Sequence, residues 1–472
     1  MTASNLRLDG YGCGEGSAHG LGRGYARRNG KTLLHLALAC LLAAPVVCSA
    51  GEGFATLLAA ARQNDSEYRA ASAARDAGLQ GRIAGRAQLL PSVSAAYEYG
   101  NSDVNRSYLP GSALAPLSYA ATSRTLSWRV LQPLFNMERW YSSKEEDARS
   151  VLAELNFVSA STELSLRLSR SVFDTLLAAD NLQLAQAQYK TLTSQRVEAE
   201  NLRKAGVLTL TDVEDTRSRE LSAEAGAIEA AFGLQMRRRE LARIVGVLQP
   251  DSPNLINAWS LAPPMPNDLE QWLERVRDGN PKMLSAAMSL EVAGYSEAKA
   301  RAVHLPTLDL IASSSNTKNP NNYTSLERSG GVSLRLNVPI YEGGRTTALA
   351  QRATALKAQS REELDTARRD AETKAAEAFL GMGNATAKSR ALEQALVAAQ
   401  TSLKGATVGR QLGLRTQTEV LNAQQQVFSV QRDLSKERYN HALAYLQLKA
   451  LAGRLGDEDF SVLDQANLAN QK

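Results

Sequence analysis

Few residues of this 472-residue chain have the types and spacing that could do chemistry. The four histidines, His19, His35, His304 and His441, show no metal-ligand spacing, and no serine, histidine and acid can be assembled into a nucleophilic set. Gly343-Gly344 is a lone pair at a strand-to-helix junction rather than a phosphate-binding loop. Cys13, Cys40 and Cys48 are the only cysteines and all precede residue 50, which leaves the remainder without thiol or disulfide chemistry. No enzyme, cofactor or metal site is therefore expected. The polar groups left over are two matching constellations, Gly206 to Asp212 and Gly413 to Asn422. Asp212, just after Thr209 and Thr211, reads as a helix-capping or first-turn acid and Glu419 as a first-turn acid favoured by the helix dipole, and both can at the same time be charges displayed at a functional turn.

These constellations belong to a chain written twice. Asn64 and Asn280-Pro281 open helical runs that reach Leu90-Pro91-Ser92 and Leu305-Pro306-Thr307, Gln132-Pro133-Leu134-Phe135 recurs as Val338-Pro339-Ile340-Tyr341, and Gly206 with Asp212 recurs as Gly413 with Glu419. A repeat this long is a duplicated supersecondary unit, not a solenoid module. The expected divisions are 1–50, an export signal; 51–250, repeat 1; 251–268, an irregular linker with Pro253, Pro263, Pro264 and Pro266; 269–453, repeat 2; and 454–472, a tail. Arg27, Arg28 and Lys31 before the apolar run Leu33 to Val47, with Ser49-Ala50 after it, mark the signal. Residues 1–26 read as an overextended start. Removing the signal takes away Arg7, Arg23, Arg27, Arg28 and Lys31 against Asp9 and Glu15, so the charge falls from +5 to +2, which is no nucleic-acid signature.

The elements that must position the turns are long helices. Ala367, Ala371, Ala375, Ala378, Met382, Ala385, Leu392, Leu396, Ala399 and Leu403 recur at steps of three and four, a coiled-coil seam whose alanines permit close helix approach. Met137 to Lys204 is free of breakers, about 100 Å of helix, and two short helices, Phe54 to Leu89 and Thr209 to Val245, stacked end to end would match it. Repeat 2 offers the same set: Leu269 to about Val303, about Arg345 to Arg410, and Thr416 to Leu451. In each repeat the period switches to two between the first short helix and the long one: Val93 to Tyr99 and Leu126 to Val130, then Leu308 to Ala312 and Val332 to Val338. Each run, about 8 to 10 residues with one apolar and one polar face, fits a transmembrane barrel strand; the connectors Asn101 to Thr122 and Ser314 to Ser329 read as loops. Four strands cannot close a barrel, so the chain must oligomerise.

Taken together, the export signal, the duplicated helix-hairpin-helix units, the junctions Pro133-Leu134-Phe135 and Pro339-Ile340-Tyr341-Glu342-Gly343-Gly344, and Gly413-Leu414-Arg415-Thr416 followed by Glu419-Val420-Leu421-Asn422 resemble the TolC family of outer-membrane efflux and type I secretion channels. The resemblance covers about residues 51 to 453. It implies a mixed α and transmembrane β fold: a homotrimer in the Gram-negative outer membrane, with a twelve-stranded barrel continued by a helical tunnel across the periplasm. It also implies a periplasmic adaptor and an inner-membrane ABC exporter or pump as partners, with an exported protein, such as a large repeat-containing toxin, or a small molecule as cargo. Carried over by residue, Arg415 bonds to the neighbouring turn at Thr211 and Asp212 to hold the entrance shut, Glu419 matches the first acid of a selectivity ring, and Asn422 replaces the second. That replacement halves the carboxylates at the constriction and weakens its pull on cations. The absence of a well-placed lipidation cysteine leans towards protein secretion over drug efflux; a periplasmic coiled-coil adaptor or scaffold is the rival from another class.

Overall fold

A single helix of 68 residues, Met137–Lys204, organises the molecule. The computed structural model describes residues 53–108, 110, 111, 113, 115–246, 261–321 and 324–460, all within one unit. The expected signal, most of the linker and most of the tail lie outside them. Repeat 1 comprises α1 (Phe54–Asn64), α2 (Ser66–Ala87), β1 (Ser92–Arg106), β2 (Leu117–Phe135), α3 (Met137–Lys204) and α4 (Leu210–Val245). Repeat 2 comprises α5 (Leu269–Gly279), α6 (Pro281–Ala302), β3 (Thr307–Asn321), β4 (Thr324–Asn337), α7 (Arg345–Gln411) and α8 (Gln417–Leu451).

The first short helix of each repeat is broken, where the expected spans, Phe54 to Leu89 and Leu269 to about Val303, each make one run. Asp65 leaves helical geometry and its carboxylate accepts from the Tyr68 N–H at 2.8 Å, so it starts α2 afresh. At Asn280 the cause is Pro281, which disfavours helical geometry in the residue before it, and the Asn280 side chain then caps α6. Both breaks serve an end-to-end joint. Asn64 Nδ2 donates to the last carbonyls of α4, Arg243 and Ile244, each at 3.3 Å, and Asn280 Nδ2 donates to Leu451 O at the end of α8, 2.9 Å. Helix C-termini leave carbonyls without intrahelical donors, and these two asparagines supply them. The two short helices thereby stack against the long one.

The best-anchored level is the middle of the long helices. Leu57 and Phe54 of α1, Leu164, Leu168 and Val172 of α3, Leu241 of α4 and Leu446 of α8 form one fully buried cluster, with Phe54 stacked on Phe460 at 4.5 Å. Burying each such side chain contributes about 1.5–3 kcal/mol. Repeat 2 has its own version, in which Trp272 and Val276 of α5 cover Ala371, Ala375 and Ala378 of α7. Nearer the turns Leu192, Ala223 and Leu421 make a smaller buried apolar cluster. The α7 seam is buried at Ala371, Ala375, Ala378, Met382, Ala385, Ser389 and Ala399, in agreement with its heptad spacing.

The strands form one antiparallel sheet in the order β1-β2-β3-β4. They are longer than their alternating cores predict, 15, 19, 15 and 14 residues, and they absorb most of both predicted connectors. Ladder hydrogen bonds are made by the backbone, so pairing runs on where side chains are polar on both faces and period-two contrast disappears. The register places Val93, Val130, Ala312 and Val332 in one row, with Trp128 beside Ala95 and Leu310 beside Leu334 on the same face. Ser94, Arg129 and Ser313, and Asp309 with Arg335, lie on the opposite face. No described helix is long and apolar enough to cross a membrane. The apolar surface of the sheet is exposed, including Val93, Tyr97, Trp128, Val332, Leu334 and Leu336.

Candidate functional site at the two helical turns

Each long helix ends in the same way. After α3, Gly206 takes a left-handed φ of 79° and the Val207 N–H donates to Leu202 O at 2.9 Å; after α7, Gly413 takes φ 73° and the Leu414 N–H donates to Gly409 O at 2.8 Å. This closure needs a residue without a Cβ penalty at positive φ, hence glycine twice. Thr209 and Thr416 then cap α4 and α8, and Asp212 and Glu419 complete reciprocal capping boxes. Asp212 Oδ2 accepts from the Thr209 N–H at 3.1 Å, and Glu419 Oε2 accepts from the Thr416 N–H at 3.0 Å. Capping therefore uses one oxygen of each carboxylate, Asp212 Oδ2 and Glu419 Oε2.

The turns differ in what they display. Arg415 Nη1 lies 3.4 Å from Glu419 Oε1, with the two side chains 59% and 44% exposed. An exposed pair one turn apart is worth only about 0.3–0.5 kcal/mol. Within the described chain no contact joins Arg415 to Thr211 or Asp212, and Thr211 is exposed. A Cβ on Gly409 would sit 2.7 Å from Arg415 Cγ, so that glycine makes room for the arginine stem against α7.

The structure assembles a second polar group around Asn422 that sequence reasoning missed. Arg219 Nη1 of α4 donates to Asn422 Oδ1 of α8 at 2.9 Å, Arg219 also pairs with Asp215 at 3.3 Å, and Thr418 Oγ1 donates to Asp215 Oδ2 at 3.3 Å. Deeper along the same contact Gln195 Nε2 donates to Gln424 Oε1 at 2.6 Å, while Arg410 bridges Gln417 and Glu198 at 2.6 and 2.7 Å. The available signal was the i,i+4 spacing of Asp215 and Arg219, together with the placement of Asp215 where the second copy has Asn422.

The strand-to-helix junctions sit at the other end of the long helices. Pro133 lies inside β2 at a register shift between Pro133 and Phe135, where a missing N–H is tolerated, and α3 begins directly behind the Asn136 cap. Their sequence counterparts Pro339 and Tyr341 fall outside a strand: β4 ends at Asn337, and Gly343 and Gly344, φ 63° and 82°, turn the chain into α7. The two junctions match in sequence and differ in backbone.

The family model described as Outer membrane efflux protein matches residues 57–247 and 272–454, one segment for each repeat. The chain belongs to the outer membrane efflux protein family. This efflux protein is 30% identical over 409 residues to AprF of Pseudomonas aeruginosa, named as an alkaline protease secretion protein, with 85% of each chain covered. It is 31% identical over 410 residues to the proteases secretion protein PrtF of Dickeya chrysanthemi, covering 85% of this chain and 88% of that one. Its fold is shared with the solved outer membrane protein VceC of Vibrio cholerae at a TM-score of 0.73 and 18% identity, covering 85% of this chain and 97% of the other. As an outer membrane efflux protein it is an outer-membrane exit duct, and its family is one of transport rather than of enzymes.

Proposed function

We propose that three copies of this efflux protein form one duct for type I protein secretion, shut at its periplasmic end by the two helical turns. The open sheet carries this reading. Among the described residues its edges β1 and β4 have no strand beside them, its apolar face is uncovered, and four strands fall short of the roughly eight a closed barrel needs, so copies joined edge to edge satisfy both deficits. Secretion of a protein, fed by a periplasmic adaptor and an inner-membrane ABC exporter, is favoured by the names of AprF and PrtF, which support a protease as readily as a toxin. At the turns, the Arg415–Glu419 pair is too weak and too exposed to hold anything by itself, which leaves the guanidinium available to the Thr211 and Asp212 turn of a neighbouring chain.

Fractionation and semi-native electrophoresis test the assembly: a heat-modifiable trimer in the outer membrane is expected, and a monomer soluble in periplasmic extract refutes it. Deleting the gene should abolish an extracellular protein while leaving drug sensitivity unchanged. The reverse pattern would assign the duct to small-molecule efflux.

A further inference from the structure

The apolar face of the sheet ends in a cluster of cations. Moving outward from the helices, its rows run Leu308 and Leu336; Leu310 and Leu334; Val130, Ala312 and Val332; Trp128 and Ser314; then Leu126, Asn316 and Arg328; and then Tyr99, Arg124 and Lys318. Arg124, Lys318 and Arg328 therefore lie in adjacent rows on one face, and all three are exposed. Arg124 stands directly opposite Lys318 in the β2–β3 register, and its guanidinium lies 5.6 Å from the centre of the Tyr99 ring. Like charges placed directly across a sheet destabilise it. Among the described residues none of the three has an ion-pair partner, and the one strand carboxylate on this face, Asp103, is two rows further out, opposite Ala120. The opposite face, by contrast, mixes Glu98, Glu327 and Asp309 with Arg129 and Arg335.

Depth gives the cluster its meaning. Leu308 and Lys318 are ten residues apart on β3, and at about 3.4 Å per residue and a barrel tilt of about 40° that is about 25 Å along the membrane normal, the height of the apolar band of an outer-membrane barrel. The cations thus stand where acyl chains give way to outer-leaflet headgroups, with Tyr97 and Tyr99 at the same level. We infer that Arg124, Lys318 and Arg328 form a binding site for a phosphate group of the outer-leaflet glycolipid. Such a phosphate accepts bidentately from arginine, takes the lysine as a point charge, and turns the Arg124–Lys318 repulsion into shared attraction. The inference rests on the proposal that this face meets lipid.

Native mass spectrometry of the purified full-length protein, delipidated in detergent, tests it with bis-phosphorylated lipid A, dephosphorylated lipid A and inorganic phosphate as probes. Bis-phosphorylated lipid A should bind once per chain, and the combined Arg124→Gln, Lys318→Gln and Arg328→Gln variant at least about tenfold more weakly, since one charged hydrogen bond alone accounts for about that factor. Combined Arg124→Lys and Arg328→Lys keeps the charge but loses the bidentate fork, and should bind more weakly than wild type and more tightly than the glutamine variant; binding no tighter than the glutamine variant overturns the charge-based site. Equal binding by wild type and the glutamine variant, or equal binding of dephosphorylated lipid, overturns the site; displacement by millimolar inorganic phosphate overturns its assignment to lipid. The lipid-facing orientation is checked apart from this, through quenching by acyl-brominated lipids of the fluorescence that Trp128→Phe removes. No quenching sinks the orientation itself, whereas quenching with unaltered lipid binding in the glutamine variant sinks the phosphate site alone.

Discussion

At the first helical turn Leu202 and Leu208 stand where the second has Gly409 and Arg415, and Asp215 stands where the second has Asn422. The backbones nevertheless coincide in kind: a left-handed glycine, a threonine cap and an acid completing the capping box occur in both. Conformation is thus maintained by the same few residues in each copy, and the display positions are free to diverge. The divergence is paired. Gly409 loses a side chain where Arg415 gains one, and Arg219 of the first copy reaches the amide of Asn422 in the second. The acid expected at Asn422 has in effect a counterpart across the contact, at Asp215. The buried apolar cluster nearby is small, and polar pairs supply much of the contact between α4 and α8 at this end of the molecule.

The largest expected effect comes from removing the guanidinium that the first turn lacks. Arg415→Ser should raise single-channel conductance in planar bilayers several-fold, and unchanged conductance from intact trimers would remove Arg415 from the gate. Arg219→Ala should give a smaller increase, because it frees α4 from α8 at Asn422 but leaves the Thr418–Asp215 hydrogen bond and Arg415 in place. A double-mutant cycle with Asn422→Ala should report a coupling of about 1 kcal/mol; zero coupling would make the contact incidental. Asn422→Asp should make the copies more alike in charge and tighten block by multivalent cations, an effect that shrinks as salt rises. Block that does not change places Asn422 away from the conducting path. The smallest and most symmetrical effect is expected for Thr209→Ala and Thr416→Ala, each costing about 1 kcal/mol of helix stability, read as faster amide exchange in the first turn of α4 or α8. A large difference between those two would contradict the shared backbone role.

Helix lengths were legible because a breaker-free, periodic run has no local reason to stop: α3 spans Met137–Lys204 as its composition predicts, and the capping threonines fall one residue outside α4 and α8. The strand cores and their faces were legible for the same reason. The interruptions at Asp65 and Asn280 were less so, since the asparagines that mark the repeats act on α4 and α8, far away in the chain. Strand length escaped because backbone ladders continue beneath polar side chains. The Arg219–Asn422 contact escaped because it joins residues about 200 positions apart.

The sequence by itself determined the capped turns, the α7 seam and the alternation of the strand cores, since all of these depend on interactions spanning a few residues. Tertiary structure alone decided that Asp215, Arg219, Thr418 and Asn422 meet, that Asn64 and Asn280 close the joints between stacked helices, and that Arg124 faces Lys318. Each of those pairings is set by register between distant segments, and register follows from packing the whole chain at once.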